Sequence, residues 1–333
     1  MLRLNTSTPS DVDDLAGRIK ALAAEAGFVA CGFTTADPFP GYAKAIEERM
    51  RLFPECRELY ASHLARAEPR GHAPWARSIV VGVRWYGHYR LPEETLGHIG
   101  RTYLADRRYS GCPDFPMSRS FKAGLKALGL RVKTGGPPAR AAAVRAGVAR
   151  WGRNGFVYGD NGSWINVETW LVDAELPAGA PNEDPVCPAG CRACMDACPT
   201  GAIVKPGVVC GSRCVAYLTY GAPPPIPEDL WRSMGGWIYG CDACQEVCPL
   251  NRGEWVERDP APWLEEVRER LTPEALAAMD EAAYLSAIHP RFWYLPADAG
   301  GLARWHANAR RAAKEADQPR RHGGTEWGLL KGG

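Results

Sequence analysis

The feature of this 333-residue chain that most constrains its fold is the placement of its twelve cysteines. Most of them fall in two dense runs, each of which ends in Cys-Pro. The runs are Cys187-x3-Cys191-x2-Cys194-x3-Cys198-Pro199 and Cys241-x2-Cys244-x3-Cys248-Pro249, with Cys214 alone between them. The N-terminal stretch lacks the apolar core of an export signal, which favours a cytoplasmic location. Because disulfides rarely persist there, clustered cysteines indicate metal binding.

The spacing of these cysteines predicts two 4Fe-4S clusters. In proteins with two such clusters, three closely spaced thiolates hold one cluster, and the cysteine before proline reaches across to the other. Soft thiolate ligands suit iron–sulfur chemistry. The first spacing has one residue more than the usual run, and a turn at Gly190 is expected to absorb it. The two expected ligand sets are Cys187, Cys191, Cys194 and Cys248 for one cluster, and Cys198, Cys214, Cys241 and Cys244 for the other.

A pair of zinc sites, each with four thiolates, is the alternative interpretation of the same eight cysteines. Zinc ribbons usually have two separated Cys-x2-Cys knuckles, so runs of three and four cysteines ending in Cys-Pro favour iron. Four cysteines remain. Cys31 and Cys56 are predicted to be small buried apolar side chains. Cys210 lies four residues before Cys214 and could compete as a ligand, and Cys112 could line a pocket.

Charge and hydropathy restrict the kinds of partner. Between Tyr60 and Gly155 there are 17 Lys and Arg residues against 5 Asp and Glu residues, although the whole chain carries a net charge of only +2. Such a basic block favours anionic ligands such as phosphates, tRNA or a nucleotide-tailed cofactor, and a solvated basic surface is the alternative. Apolar runs are far shorter than the roughly 18 residues that span a bilayer, so no membrane partner is expected.

Hydrophobic periodicity predicts three regions with different organisation. Helices and strands alternate over residues 1–176, which indicates an α/β domain. Residues 177–258 are too irregular to build a large core without bound metal, and residues 259–333 form a helical segment and a tail. The predicted elements are a helix with a Ser10–Asp13 capping box that closes at Gly27, strands at 28–34 and 78–86, a helix at 139–150, a helix capped by Thr272 with Pro273 in its first turn, and a helix from about Leu302 to Ala316.

Four further segments carry a family resemblance. The sequence contains no G-x-G-x-x-G, no P-loop and no Asp-x-His-x-x-Gly, so the residues alone predict only a two-cluster protein with an attached α/β domain. Similarity to a known family runs from about residue 12 to residue 312. The segments are WGRNGFVYGDNGSW from Trp151 to Trp164, CPAGCRACMDACPTGAI, CVAYLTYG and YGCDACQEVCPLN, and they resemble the epoxyqueuosine reductase family and, more distantly, the reductive dehalogenases.

The resemblance implies an α+β or α/β fold: a nitroreductase-like cobalamin-binding domain, a bacterial-ferredoxin-like double 4Fe-4S domain and a short helical C-terminal segment. It implies base-off cobalamin without a protein ligand to cobalt. An external ferredoxin- or flavodoxin-type donor would supply electrons, which would pass from the outer to the inner cluster and then to cobalt, giving Co(I). The residues expected to contact cobalamin are Trp151, Arg153, Asn154, Ser163 and Trp164. Trp170 is a further aromatic candidate, with core packing as the alternative.

Two elements depart from the family pattern. A Val-Asp-Thr-Gly-Pro motif, whose aspartate is thought to donate a proton, is replaced here by Val-Lys-Thr-Gly-Gly, with Lys133 at the position of the acid. An ammonium group is a weaker acid than a carboxyl group, so lysine donates protons poorly at neutral pH unless burial makes it more acidic. A Gly-Arg-Asp-Tyr-His element is replaced by residues 106–110, which retain Tyr109 but neither the acid nor the imidazole. Lys133 and Tyr109 are therefore the catalytic candidates.

Three functional hypotheses follow. The first is a cobalamin- and iron–sulfur-dependent reductase that acts on another small-molecule or anionic substrate, with Lys133 or Tyr109 supplying a proton or binding an anion. The second is epoxyqueuosine reduction in tRNA. The C-terminal HEAT-like repeats of many family members are not found in this sequence, which weakens the expectation of tRNA binding. The third is a non-enzymatic electron carrier that docks on a partner reductase.

Overall fold

A computed structural model describes residues 9–316, so the predicted tail after Gln318 lies outside the described residues. The helices are α1 Pro9–Glu25, α2 Pro40–Leu52, α3 Arg57–Leu64, α4 Pro69–His72, α5 Arg101–Leu104, α6 Met117–Ala127, α7 Ala139–Arg145, α8 Ala193–Asp196, α9 Val215–Tyr220, α10 Glu228–Ser233, α11 Ala243–Glu246, α12 Pro262–Glu265, α13 Pro273–Ala278, α14 Glu281–Ala283 and α15 Ala299–Ala316. The strands are β1 Ala30–Thr35, β2 Ser78–Trp85, β3 Tyr89–Arg90, β4 Val132–Thr134, β5 Arg150–Trp151, β6 Val157–Tyr158, β7 Ile165–Val172, β8 Ile203–Lys205, β9 Val208–Val209 and β10 Asp259–Pro260.

The N-terminal region is built on a four-stranded sheet of order β1-β2-β7-β4. β2 and β7 are rich in β-branched and aromatic residues, which fit a pleated and buried surface. Helices cover both faces of the sheet, so consecutive residues such as Val80 and Val81 are both buried, one against α1 and α6 and the other against α7. All pairings in this sheet are antiparallel, which makes the region α+β.

The C-terminal helices do not form a separate core. Trp305 of α15 stacks on Tyr239 with the ring centroids 5.0 Å apart, and Trp263 of α12 donates a hydrogen bond to the Leu104 carbonyl. The same apolar cluster includes Tyr86, which follows β2. The C-terminal segment therefore fastens the loops after β2 to the cysteine-bearing part of the chain. The domain boundaries at residues 176 and 258 stay predictions.

The cysteine-bearing segment consists of short elements joined by turns. Two similar one-turn helices, α8 and α11, each carry the next-to-last cysteine of one run, Cys194 and Cys244. Gly190 has a φ of +71°, and the Cys191 amide donates to the Pro188 carbonyl, which is the predicted turn that absorbs the extra residue. Such short elements bury little apolar surface of their own, in keeping with organisation by bound metal.

Several predicted elements match the structure, and two differ from it. The Thr272 side chain accepts a hydrogen bond from the Ala275 amide, as expected of a helix cap. The helix predicted at 139–150 ends at Arg145, because Gly147 has a φ of +74° and the chain then enters β5. Helix α1 already includes Pro9, so Ser10 is not its cap. No helix among residues 9–316 combines the length and apolarity needed to cross a bilayer.

Candidate metal centres and cofactor cleft

The structure brings the eight cysteines of the predicted ligand sets into two groups. In the first group, burial and then the charges of neighbouring sulfurs together raise the pKa of the Cys194 thiol to about 11. Those sulfurs belong to Cys187, Cys248 and Cys191, in order of their effect. The cysteine before Pro249 thus lies with the other run, as the cross-over pattern of two-cluster proteins requires.

The second group consists of Cys198, Cys214, Cys241 and Cys244. Burial raises the pKa of the Cys244 thiol well above its ordinary value, and Cys214 and Cys198 are the charged groups with the next largest effects. The pKa of Cys241 is likewise raised, first by burial and then by the charge of Cys244. Four thiolates that crowd together in this way repel one another unless cations hold them. The donor chemistry of both groups therefore fits iron–sulfur clusters.

Hydrogen bonds to sulfur hold the first group against the N-terminal region. The Arg153 amide donates to the Cys187 sulfur at 3.3 Å, and the Tyr158 hydroxyl donates to the Cys248 sulfur at 3.2 Å. The Arg153 guanidinium also donates to the Cys191 carbonyl at 2.7 Å. Donors of this kind stabilise thiolates and tune the potential of a bound cluster.

A cleft adjoins the second group. Arg140 is exposed to solvent, yet burial lowers its pKa, and its ionisable neighbours include Tyr86, Tyr103 and Cys244. Burial also raises the pKa of Tyr220 to about 12, and Arg140 is again among its neighbours. A side chain that solvent reaches while protein surrounds it lies in a cleft rather than on a convex surface.

The cleft fits the expected cobalamin in its position and chemistry. It is bordered by the second group of cysteines, because Cys244 and Cys214 are both ionisable neighbours of Arg140. The guanidinium donates to the Gly155 carbonyl at 3.0 Å and lies 4.5 Å from the Phe156 ring centroid, so it is held in place. Guanidinium groups bind phosphate oxygens, and cobalamin carries a phosphate.

Three of the residues expected at cobalamin contact the cysteine-bearing segment, and their contact with cobalamin stays a prediction. Asn154 donates to the Tyr158 hydroxyl at 2.9 Å and to the Cys244 carbonyl at 3.3 Å. Arg153 contacts the first cysteine group as described above. Ser163 is fully buried among Gln245 and Asn251. The structure thus gives these residues a role in docking the metal-binding segment onto the sheet region.

The three tryptophans occupy different environments. Trp151 lies in β5, where it is partly buried against the core on the α7 side. Trp164 is buried and packs edge-on against Trp255, with the ring centroids 5.3 Å apart, and the Arg101 guanidinium lies 5.0 Å from its ring centroid. Trp170 is fully buried in the sheet core, so core packing accounts for it. Contact of Trp151 and Trp164 with cobalamin stays a prediction.

The polar network around Asn251 yields a stability prediction. Its side chain accepts from the Ser163 amide at 2.8 Å and donates to the Gln245 carbonyl at 2.8 Å, and all three residues are buried. Asn251→Ala leaves the buried Ser163 amide without its partner, and the Gln245 carbonyl keeps only its bond from the Cys248 amide, so we expect a loss of about 2–3 kcal/mol in the free energy of unfolding. The measurement is the melting temperature of the cluster-loaded protein. Asn161→Ala, at a half-exposed position, is the control, and an equal loss in both variants would contradict the prediction.

The two catalytic candidates are not brought together. Lys133 lies on edge strand β4, where its side chain is exposed and its ammonium donates to the His72 carbonyl at 2.5 Å. It therefore lacks the burial on which its expected role as a proton donor depends. Tyr109 is partly buried, and the Arg291 guanidinium lies 4.5 Å from its ring centroid. Catalytic roles for Lys133 and Tyr109 stay predictions.

Ion pairs hold the rewritten element at 106–110. Asp106 is buried and accepts from the Arg108 guanidinium, whose Nε lies 2.8 Å from the carboxylate. Arg107 Nε lies 2.5 Å from Glu168 Oε1 in β7. Burial raises the pKa of Glu168, and the charge of Arg107 opposes that rise. The Arg107–Glu168 pair therefore fastens the element to the sheet, and the Asp106–Arg108 pair holds the element itself.

Sequence reasoning missed two residues that shape the site. Arg140 was not singled out, although it stands in the basic block two residues after a Gly-Gly-Pro-Pro run. Asp242, between Cys241 and Cys244, accepts from the Arg101 amide at 2.7 Å. Burial raises the pKa of Asp242 to about 7, and Arg101 opposes the rise. The position of Asp242 inside the second run was the available signal.

Sequence comparisons agree with this geometry. Residues 187–251 match the family model for a 4Fe-4S double cluster binding domain. The chain is 31% identical over 248 residues to the epoxyqueuosine reductase of Cyclobacterium marinum, covering 70% of this chain and 78% of that protein. It is 32% identical over 262 residues to the epoxyqueuosine reductase of Escherichia coli, covering 74% of this chain and 68% of that protein.

Solved structures share the fold. A selenomethionine-labelled epoxyqueuosine reductase superposes with a TM-score of 0.71 at 25% identity, over 91% of this chain and 82% of that one. An epoxyqueuosine reductase in complex with a stem loop of epoxyqueuosine-modified tyrosine tRNA gives 0.73 at 24% identity, over the same shares. The Bacillus subtilis enzyme, described with an aspartate catalytic loop swung out of the active site, gives 0.70 at 25% identity, again over 91% and 82%.

The cysteine spacing, the geometry of the two cysteine groups and the comparisons with known proteins all indicate the same family. Two groups of four cysteines match a double-cluster domain, and the second group borders the cleft that holds the Arg140 guanidinium, a group that can bind a phosphate. The identity to the Cyclobacterium marinum enzyme extends over most of both chains. The chain therefore belongs to the epoxyqueuosine reductase family, and it is an oxidoreductase whose cofactors are two 4Fe-4S clusters and cobalamin.

Proposed function

We propose that this protein reduces epoxyqueuosine in tRNA to queuosine. The observation that carries the proposal is the placement of the second cysteine group beside the Arg140 cleft, because it puts an electron source next to a cofactor site. Membership of a family whose curated relatives are epoxyqueuosine reductases supports the choice of substrate.

The eight cysteines are proposed to hold the clusters in the two sets expected from their spacing. The second set, which includes Cys244, borders the cleft and would form the inner cluster. The first set would then form the outer cluster and receive electrons from an external donor. The proposed path of electrons runs from the first set through the second set to the cleft.

The proposed reaction requires the protein to provide both electrons and protons. Removing an epoxide oxygen as water takes two electrons and two protons. The clusters supply electrons one at a time, and cobalamin, when bound, supplies a metal that can deliver them to carbon. This chain's own residues hold the thiolates, place the guanidinium of Arg140 in the cleft, and dock the cluster segment on the sheet through Asn154 and Ser163.

The basic surface supports tRNA as the partner. The excess of Lys and Arg over acidic residues lies between Tyr60 and Gly155, and exposed members of this block include Arg66, Lys126 and Arg131. Contacts of cationic side chains with phosphates provide most of the non-specific affinity of proteins for nucleic acids. An external ferredoxin- or flavodoxin-type protein remains the proposed electron donor.

A specific observation favours a second candidate, reduction of a different small or anionic substrate by the same cofactors. Lys133 stands where the family motif has its acid, and its ammonium is bound to the His72 carbonyl. The Bacillus subtilis relative is described with an aspartate on its catalytic loop. If the substrate had changed, we would expect the proton-donor position to differ from the family motif while the eight cluster cysteines stay the same. This is what the sequence has.

Complementation distinguishes the two candidates. Expression of the protein in a bacterial strain that lacks its own epoxyqueuosine reductase should convert epoxyqueuosine in tRNA to queuosine. The measurement is mass spectrometry of nucleosides from digested tRNA. A Cys244→Ser variant expressed at the same level is the negative control.

Persistent epoxyqueuosine in cells that contain the cluster-loaded protein would reject the proposed function. The second candidate would then stand if purified protein binds cobalamin. The remaining hypothesis, a non-enzymatic electron carrier, predicts full iron loading without a corrinoid spectrum.

A further inference from the structure

Three potential metal ligands meet at a place separate from both cysteine groups. The carboxylate of Glu55 and the sulfurs of Cys56 and Cys210 all lie within 4.8 Å of one another. Cys56 is 3% exposed and Cys210 is 1% exposed, whereas Glu55 is open to solvent. Cys210 was a candidate competitor for a cluster, but its sulfur faces Glu55 at 3.7 Å. The site therefore uses two cysteines that the clusters leave over.

The surrounding backbone fixes the two sulfurs. The Ser212 amide donates to the Cys56 sulfur at 3.1 Å, and the Ser212 hydroxyl donates to Glu55 Oε1 at 3.1 Å. The Tyr60 hydroxyl accepts from the Gly211 amide at 2.9 Å and donates to the Val209 carbonyl at 2.7 Å. An amide aimed at sulfur stabilises a thiolate, which is the form that binds metal. Such outer partners are typical of metal sites.

The site joins two distant parts of the chain. Glu55 and Cys56 lie in the turn between α2 and α3 of the N-terminal region. Cys210 follows β9 and precedes Cys214, the expected cluster ligand in the loop before α9. A metal bound here would cross-link the N-terminal region to that loop, about 150 residues further along the chain.

We propose that Glu55, Cys56 and Cys210 bind one zinc ion that clamps the cluster-bearing loop to the N-terminal region. Two thiolates and a carboxylate are ordinary zinc ligands, whereas a 4Fe-4S cluster takes four thiolates. The fourth position would be filled by water on the open side of Glu55 or by the Ser212 hydroxyl, which lies 3.3 Å from the Cys210 sulfur.

The test is metal analysis of protein that already carries both iron–sulfur clusters. After incubation with zinc and removal of free metal, the protein should retain about one zinc per chain, with about two sulfur ligands at ~2.3 Å by zinc X-ray absorption. Cys56→Ser and Cys210→Ser should each weaken zinc binding by at least about tenfold while iron content is unchanged. Cys112→Ser, at another buried cysteine, is the matched control and should retain zinc.

Glu55→Gln is a second test variant. Because Glu55 is exposed, we expect this substitution to leave the folding of the protein unchanged. It should weaken zinc binding by roughly tenfold without loss of iron. Zinc retention unchanged in Cys56→Ser and Cys210→Ser would overturn the proposal. So would zinc with four sulfur ligands, which would place it in a cluster site, or a Cys56–Cys210 disulfide in non-reducing peptide mass spectrometry of the freshly isolated protein.

Discussion

Replacing Cys244 with serine should remove the inner cluster and abolish turnover. A serine hydroxyl is a poor ligand for iron, which prefers the soft thiolate in such clusters. Iron content should fall to roughly half of that in the native protein, because one 4Fe-4S cluster of two is lost. Queuosine formation should fall to background, since electrons would no longer reach the Arg140 cleft.

A matched pair of variants makes this result specific. Cys112→Ser alters a buried cysteine in the C-terminal core and should keep both clusters. Cys194→Ser should lose the outer cluster instead, with a similar loss of iron. If Cys244→Ser retained all of its iron, or if zinc replaced iron in the native protein, the two ligand sets would be wrong.

Replacing Lys133 with aspartate should raise the rate of epoxyqueuosine reduction by at least about tenfold, since a positioned general acid contributes roughly 10²–10⁴-fold. Lys133 occupies the position of the family's acid, and its present hydrogen bond to the His72 carbonyl uses one of its protons for structure. A carboxyl group at the same place restores the family's donor. The measurement is single-turnover conversion of epoxyqueuosine-containing tRNA under anaerobic conditions.

The control for this prediction is Lys126→Asp. It makes the same change of charge at an exposed position on α6, so it reports any effect of charge on tRNA binding. Equal rates for native protein and Lys133→Asp would show that position 133 does not supply a proton. A rate increase in both variants would assign the effect to charge alone.

Local pattern predicted the metal centres well, because the information needed lies in short spacings. The two groups of cysteines follow from the runs and the Cys-Pro cross-over, and the Gly190 turn follows from the extra residue. A metal site that needs several ligands close together is often recognisable from the spacing of its cysteines in the sequence. Short capping motifs such as Thr272–Pro273 are equally local.

Hydrogen bonds between residues far apart in the chain could not be predicted from short spacings. The bonds from Arg101 to Asp242 and from Ser163 to Asn251 join residues 141 and 88 positions apart. No spacing rule relates such residues, since the fold alone brings them together. For the same reason, the sequence did not predict the contacts of Asn154 and Ser163 with the cysteine-bearing segment.

Metal analysis of the anaerobically reconstituted protein, combined with its ultraviolet–visible spectrum, tests the central claim most directly. We predict the iron of two 4Fe-4S clusters and one cobalt per chain, with a corrinoid spectrum superimposed on the cluster absorption. Full iron loading without any cobalt uptake, or zinc in place of the iron, would contradict the account.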